Sequence, residues 1–190
     1  MSRGAAAALL AGLTLGACAG DPYTAGPGPV WLEGYGVTLE RRWSQIRIGD
    51  DPEVAAVQLT RSGPLLDRIF FASIPSGRGL VTPGFDHYPR WWAGVPADGL
   101  EPFLAGSLTV LGYERVETTA RSPHPFAGRE GVLYTLTLER PGGMKIDALA
   151  LASAKKEVLD LIIFLAPREH YFPAREAEVR RLFASVARPP

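Results

Sequence analysis

The sequence predicts an α+β fold: an antiparallel sheet meander flanked by helices, an α/β/α sandwich, in one domain behind a signal peptide and a tether. Three features point there. Residues 131–166 hold three strand-like segments separated by turn sequences, "GVLYTLTLER", "MKIDALALAS" and "EVLDLIIFLA". The third is almost wholly apolar, the composition of a central strand covered on both faces. An amphipathic segment, "PAREAEVRRLFASVA", follows and predicts a helix lying on the sheet.

Earlier elements follow from the same patterns. "YGVTLERRWSQIRI" has mixed strand character, with Trp43 and Ile46 expected inward, and "EVAAVQLT" reads as a strand ending at the turn Ser62-Gly63-Pro64. "DRIFFASI" combines aromatic and β-branched residues, the side chains that suit a pleated surface. In "ADGLEPFLAGSLTVLGY", Leu100, Phe103, Leu104, Leu108 and Leu111 share one helical face. Asp98 and Glu101 have capping-box spacing, and Gly112 suits the stop. In the last helix Pro173 is expected at the first position, with Val179, Leu182, Phe183 and Val186 buried. Glu176 and Glu178 lie toward its positive end, and Arg180, Arg181 and Arg188 toward its negative end.

The N-terminus is read separately from the fold. Arg3, an apolar run from Ala5 to Leu15 and the small residues Gly16 to Gly20 have the layout of an export signal. That run is too short to span about 30 Å of hydrocarbon. Ala17-Cys18-Ala19 fits an ordinary A-x-A cleavage site, which would discard the cysteine. Leu15-Gly16-Ala17-Cys18 also resembles the lipobox of bacterial lipoproteins, and Cys18 is the only cysteine in the chain, which favours this second reading. The resemblance implies that residues 1–17 are a signal peptide, that the Cys18 thiol carries diacylglycerol, and that its new amino group is acylated, commonly with palmitate. Ala19 in place of an aspartate implies the outer membrane, facing the periplasm. Residues 18–29, rich in Gly and Pro, then read as acylated cysteine plus tether, and residues 30–190 as a single domain.

Composition excludes some functions. Twenty Lys and Arg balance twenty Asp and Glu over 190 residues, and no basic stripe stands ready to displace counterions from a phosphate backbone, so nucleic acid is not an expected partner. No cofactor is expected. The histidines His87, His124 and His170 all stand in proline-containing segments without an i, i+4 pair, so no metal site is expected. Ser153-Ala154-Lys155-Lys156 matches S-x-x-K, but it lies where a hairpin should turn, and the partner motifs S-D-N and K-T-G are missing. Asp50, Asp51 and Glu53 read as a solvated turn rather than a calcium loop. No catalytic residue is assigned, and the chain is expected not to be an enzyme.

One segment invites a partner. In "GFDHYPRWWAGVP", the residues Phe85, Tyr88, Arg90, Trp91 and Trp92 crowd together without helical or strand periodicity, and aromatic side chains with arginine are common anchors of contact surfaces. Part of such a loop packs beneath its own domain. The order of elements from Val37 to Val186, a meander whose most apolar strand feeds a terminal helix, resembles the PsbP-like group of small α/β/α sandwiches. That resemblance implies an accessory or binding role and carries no functional residue with it. The expectation is therefore a membrane-anchored, non-enzymatic interaction module of the cell envelope, touching the bilayer through Cys18 and an envelope protein or glycan through the 85–92 loop. A domain holding a small apolar ligand between sheet and helix is the alternative, and an envelope hydrolase stands last.

Overall fold

The computed structural model of the protein describes residues 24–47, 54–81 and 87–188. Cys18, Phe85, Asp50, Asp51 and Glu53 lie outside the described residues. Among the described residues, ten strands and two α-helices follow in chain order: β1 (Thr24–Ala25), β2 (Gly28–Leu32), β3 (Tyr35–Leu39), β4 (Trp43–Arg47), β5 (Ala55–Thr60), β6 (Arg68–Pro75), α1 (Glu101–Val110), β7 (Glu114–Pro123), β8 (Val132–Glu139), β9 (Lys145–Lys155), β10 (Val158–Pro167) and α2 (Tyr171–Ala184). Eight strands form one sheet in the order β1-β4-β5-β6-β10-β9-β8-β7, every pair antiparallel. β2 and β3 form a separate hairpin.

The apolar strand β10 lies inside the sheet, between β6 and β9. Its side chains alternate between two cores. Leu159, Leu161, Ile163 and Leu165 face the core shared with Leu100, Leu104 and Leu108 around α1. Ile162 and Phe164 face the core shared with Val179, Leu182 and Phe183 of α2 and with Tyr35, Val37 and Leu39 of the hairpin. Each such side chain removed from water contributes about 1.5–3 kcal/mol, so one strand ties both layers together.

Four sequence expectations need correction. The tether is shorter than residues 18–29, because Thr24 and Ala25 pair with Ser44 and Trp43, and Gly28 begins the β2–β3 hairpin. Trp43 is buried as expected, but Ile46 is 40% exposed because β4 lies near the sheet edge, where one face lacks a covering layer. The Asp98–Glu101 capping box does not form: a 3₁₀ turn at Ala97–Gly99 intervenes, and Leu100 is the N-cap without a side-chain bond. Pro173 is the third residue of α2, which begins at Tyr171. β7 is an addition. It is an edge strand of mostly exposed polar residues with two irregularities in its pairing to β8, features that blunt an edge against further strand pairing.

Candidate functional site: a cavity over Asp160 and the 87–92 loop

Asp160 interrupts the apolar run of β10 on the α2 face of the sheet. Its cross-strand neighbours are Ser73 on β6 and Ser153 on β9, so three strands contribute a polar row at one end of an apolar face. Ser73 Oγ donates to Asp160 Oδ1 at 2.8 Å and lies 3.3 Å from the Glu33 carbonyl oxygen. The Arg129 guanidinium pairs with Asp160 Oδ2 and stacks 5.4 Å from the Phe126 ring centroid. Ser153 donates to the Glu130 carbonyl oxygen at 2.7 Å and is buried, so it holds a loop and offers no nucleophile for the S-x-x-K chemistry. The buried Tyr35 hydroxyl sits between the carbonyl oxygens of Ala72 and Leu161, at 3.2 and 3.3 Å. Burial first, and the Asp160 carboxylate second, push the Tyr35 phenol well above its ordinary value, so it is a fixed proton donor.

Above this row opens a cavity of about 480 Å³. Three two-residue turns form its rim: Glu33–Gly34 between β2 and β3, Ala127–Gly128 inside the bridge Phe126–Arg129, and Lys156–Glu157 between β9 and β10. Glu33, Ala127 and Lys156 have φ of 46°, 51° and 50°, and their turns are short enough to hold the rim in place. Left-handed backbone at a residue with a Cβ costs about 1–2 kcal/mol. A second cavity of about 360 Å³, lined by Met144, His170 and Tyr171 among others, opens at the opposite end of the sheet. Both are bordered by loops rather than enclosed between sheet and helix, where the alternative reading would seat an apolar ligand.

The loop singled out by sequence is firmly tied to the domain. Trp91 N–H donates to the Arg78 carbonyl oxygen at 2.8 Å, Gly77 N–H to the Trp91 carbonyl oxygen at 2.7 Å, and Ala93 N–H to Ser76 Oγ at 2.9 Å. Gly79 and Gly106 admit the loop closely: a Cβ at Gly79 would stand 2.6 Å from the Pro89 carbonyl oxygen, and one at Gly106 2.6 Å from Pro89 Cγ. Trp91 is buried in the α1 core, so it cannot itself touch a partner; it fixes the loop from below. Trp92 is 58% exposed, and Arg90, also exposed, lies 4.7 Å over the half-buried Tyr88 ring. Of the five loop residues, Tyr88, Arg90 and Trp92 therefore present surface.

No group of three metal-binding side chains occurs among the described residues. Asp160 and Arg129 escaped the sequence reading. The available signal was a single carboxylate inside the apolar run "VLDLIIFLA", which demands a buried partner.

No family model and no curated protein matches the chain. Solved structures do. The solution structure of cyanobacterial PsbP (CyanoP) from Synechocystis is 12% identical with a TM-score of 0.57, and the match covers 92% of this chain and 99% of that one. The fold is PsbP-like. LpqN of Mycobacterium tuberculosis, described as involved in cell envelope biogenesis, is 11% identical with a TM-score of 0.39, over 90% of this chain and 88% of that one. A Bacteroides thetaiotaomicron protein is 9% identical with a TM-score of 0.46 over 82% of this chain; the chain spans 45% of that protein's length.

Proposed function

We propose that the protein is a lipid-anchored, non-enzymatic interaction module of the bacterial cell envelope, held at the outer membrane through acylated Cys18 and facing the periplasm. The observation that carries this reading is the position of Cys18. It is the chain's one cysteine, it closes a lipobox-like Leu-Gly-Ala-Cys, and it stands six residues before Thr24, which pairs in the sheet and is the first of the described residues. Six residues reach about 20 Å even when fully extended, so the domain stays beside the bilayer. One acyl chain would hold it marginally, whereas two or three, at about 0.8 kcal/mol per buried methylene, hold it durably.

The non-enzymatic part rests on how the polar groups are used. Ser73 and Arg129 both donate to Asp160, Ser153 holds a backbone carbonyl, and Tyr35 is locked between two more. A nucleophile poised beside a free base is what a hydrolase would need. The exposed set Tyr88, Arg90 and Trp92, braced by Trp91, is the surface we assign to an envelope protein or glycan.

Metabolic labelling with a palmitate analogue tests the anchor. The wild-type chain should be labelled and Cys18→Ser should not. Equal absence of label in both would overturn the proposal. Crosslinking in the native envelope, compared between wild type and the double substitution Arg90→Ala, Trp92→Ala, tests the surface. An unchanged crosslinked set would remove that loop from the reading.

A further inference from the structure

We infer that the cavity over Asp160 is a binding site for an organic anion, with the anion's oxygen-bearing head, a phosphate or phosphate ester, seated against Arg129, Lys155, Lys156 and Arg188. Three observations converge on it. Lys155, Lys156 and Arg188 line the cavity, are exposed, and form no ion pair among the described residues. Arg129 has one nitrogen on Asp160, while its buried Nε has no acceptor. The charge count also favours an anion. With Arg129 and Asp160 neutralising each other, three cations face the two carboxylates Glu33 and Glu157, leaving one positive charge in excess.

Size and composition narrow the ligand further. A volume of about 480 Å³ falls within the range of small-molecule sites and far exceeds what a bare phosphate fills. Tyr35, Ala127 and Val158 supply apolar wall beside the cations, which suits an organic body behind the anionic head. The rim of three tight turns requires little ordering on binding, so less of the interaction is lost to conformational entropy. Guanidinium and ammonium groups together suit phosphate oxygens, the first as a fork and the second as a point charge. The same head chemistry could reach the cavity as a soluble phosphate ester or as the headgroup of an anionic phospholipid. The inference concerns residues 33–188 and holds whether or not Cys18 is acylated.

The test is hydrogen–deuterium exchange on the full chain. In phosphatidylcholine vesicles, or free in solution if the chain does not attach to them, inorganic phosphate should slow exchange at residues 126–131 and 153–160 saturably, and sodium chloride of equal ionic strength should not. Protection of the same segments in phosphatidylglycerol vesicles without added phosphate would identify the headgroup as the source. The double substitution Lys155→Glu, Lys156→Glu lies at the exposed end of β9 and the turn that follows it, and leaves the core intact; it should weaken phosphate binding by about tenfold or more. Arg129→Met should abolish the protection, and because it also leaves Asp160 without its cation, the turn variant carries the decision if Arg129→Met unfolds. Protection equal to that given by chloride, or phosphate affinity unchanged in the turn variant, would overturn the inference.

Discussion

Asp67, in the β5–β6 loop, and Asp160, in β10, are two carboxylates with opposite surroundings. Asp67, fully buried, accepts the Thr60 hydroxyl at 2.9 Å and the Arg61 and Ser62 N–H groups at 2.8 and 2.9 Å on one oxygen, and Arg175 of α2 lies 3.4 Å from the other. Nearby, Glu178 of α2 accepts from Trp43 Nε1 and from Arg61, so the same corner is stitched twice. Asp160 has one serine and one arginine, and beyond them a cavity. Asp67 is a clamp that fastens the β5–β6 loop to α2. Asp160 anchors an arginine that still has a donor to give. The difference teaches that an acid drawn out of water can close a clamp or leave a donor unused, according to whether its partners are themselves satisfied.

The largest expected effect lies outside that pair and sets its scale: Trp91→Ala should cost about 3–5 kcal/mol of stability by chemical denaturation, since it removes a buried indole from the α1 core. Asp67→Ala should come close, at roughly 3–4 kcal/mol, because two N–H groups, a hydroxyl and a partly buried arginine lose their acceptor together. Asp160→Ala should cost about 1–2 kcal/mol, because water can enter the cavity and serve Arg129 and Ser73 in its place. Equal losses for the two aspartates would break the comparison.

Acid unfolding sharpens it. Burial would raise the Asp67 carboxyl, but the donated hydrogen bonds from Ser62, Arg61 and Thr60 outweigh it and hold the group below its usual value. A depressed folded value adds stability above the unfolded value, near 3.8, which is lost as pH falls through the folded one. Melting temperature measured downward from about pH 4 should therefore drop less steeply in Asp67→Asn than in wild type. The smallest effects belong to the surface and the rim. Trp92→Ala should change stability by less than about 0.5 kcal/mol, and Ala127→Gly should raise it by about 1 kcal/mol by relieving a left-handed backbone, both read from denaturant midpoints.

Much of this architecture was legible from pattern alone. The alternation along β8 to β10 and the apolar stripes of α1 and α2 report burial directly, because the sheet is covered on both sides and each side chain must choose a core. What escaped has a common cause. β7 carries exposed polar residues at an edge and so lacks alternation, and Thr24–Leu32 hides its strands among prolines and glycines. Ile46 reads as inward but lies where the covering layer ends. The cavity could not be read from spacing, since its rim gathers three turns separated by some thirty to ninety residues, yet Asp160 alone in an apolar strand already required a cation such as Arg129. Within the 87–92 loop, the pairing of one buried and one exposed tryptophan follows from which of them bonds to Arg78, and adjacency in sequence does not distinguish them.

The most direct test of the account is the mass of the N-terminal peptide of the mature protein isolated from its native envelope. We expect a chain beginning at Cys18 with a diacylglyceryl thioether and an acylated amino group. A mature chain beginning at an unmodified Gly20 would contradict the account, because the domain would then be free of the bilayer.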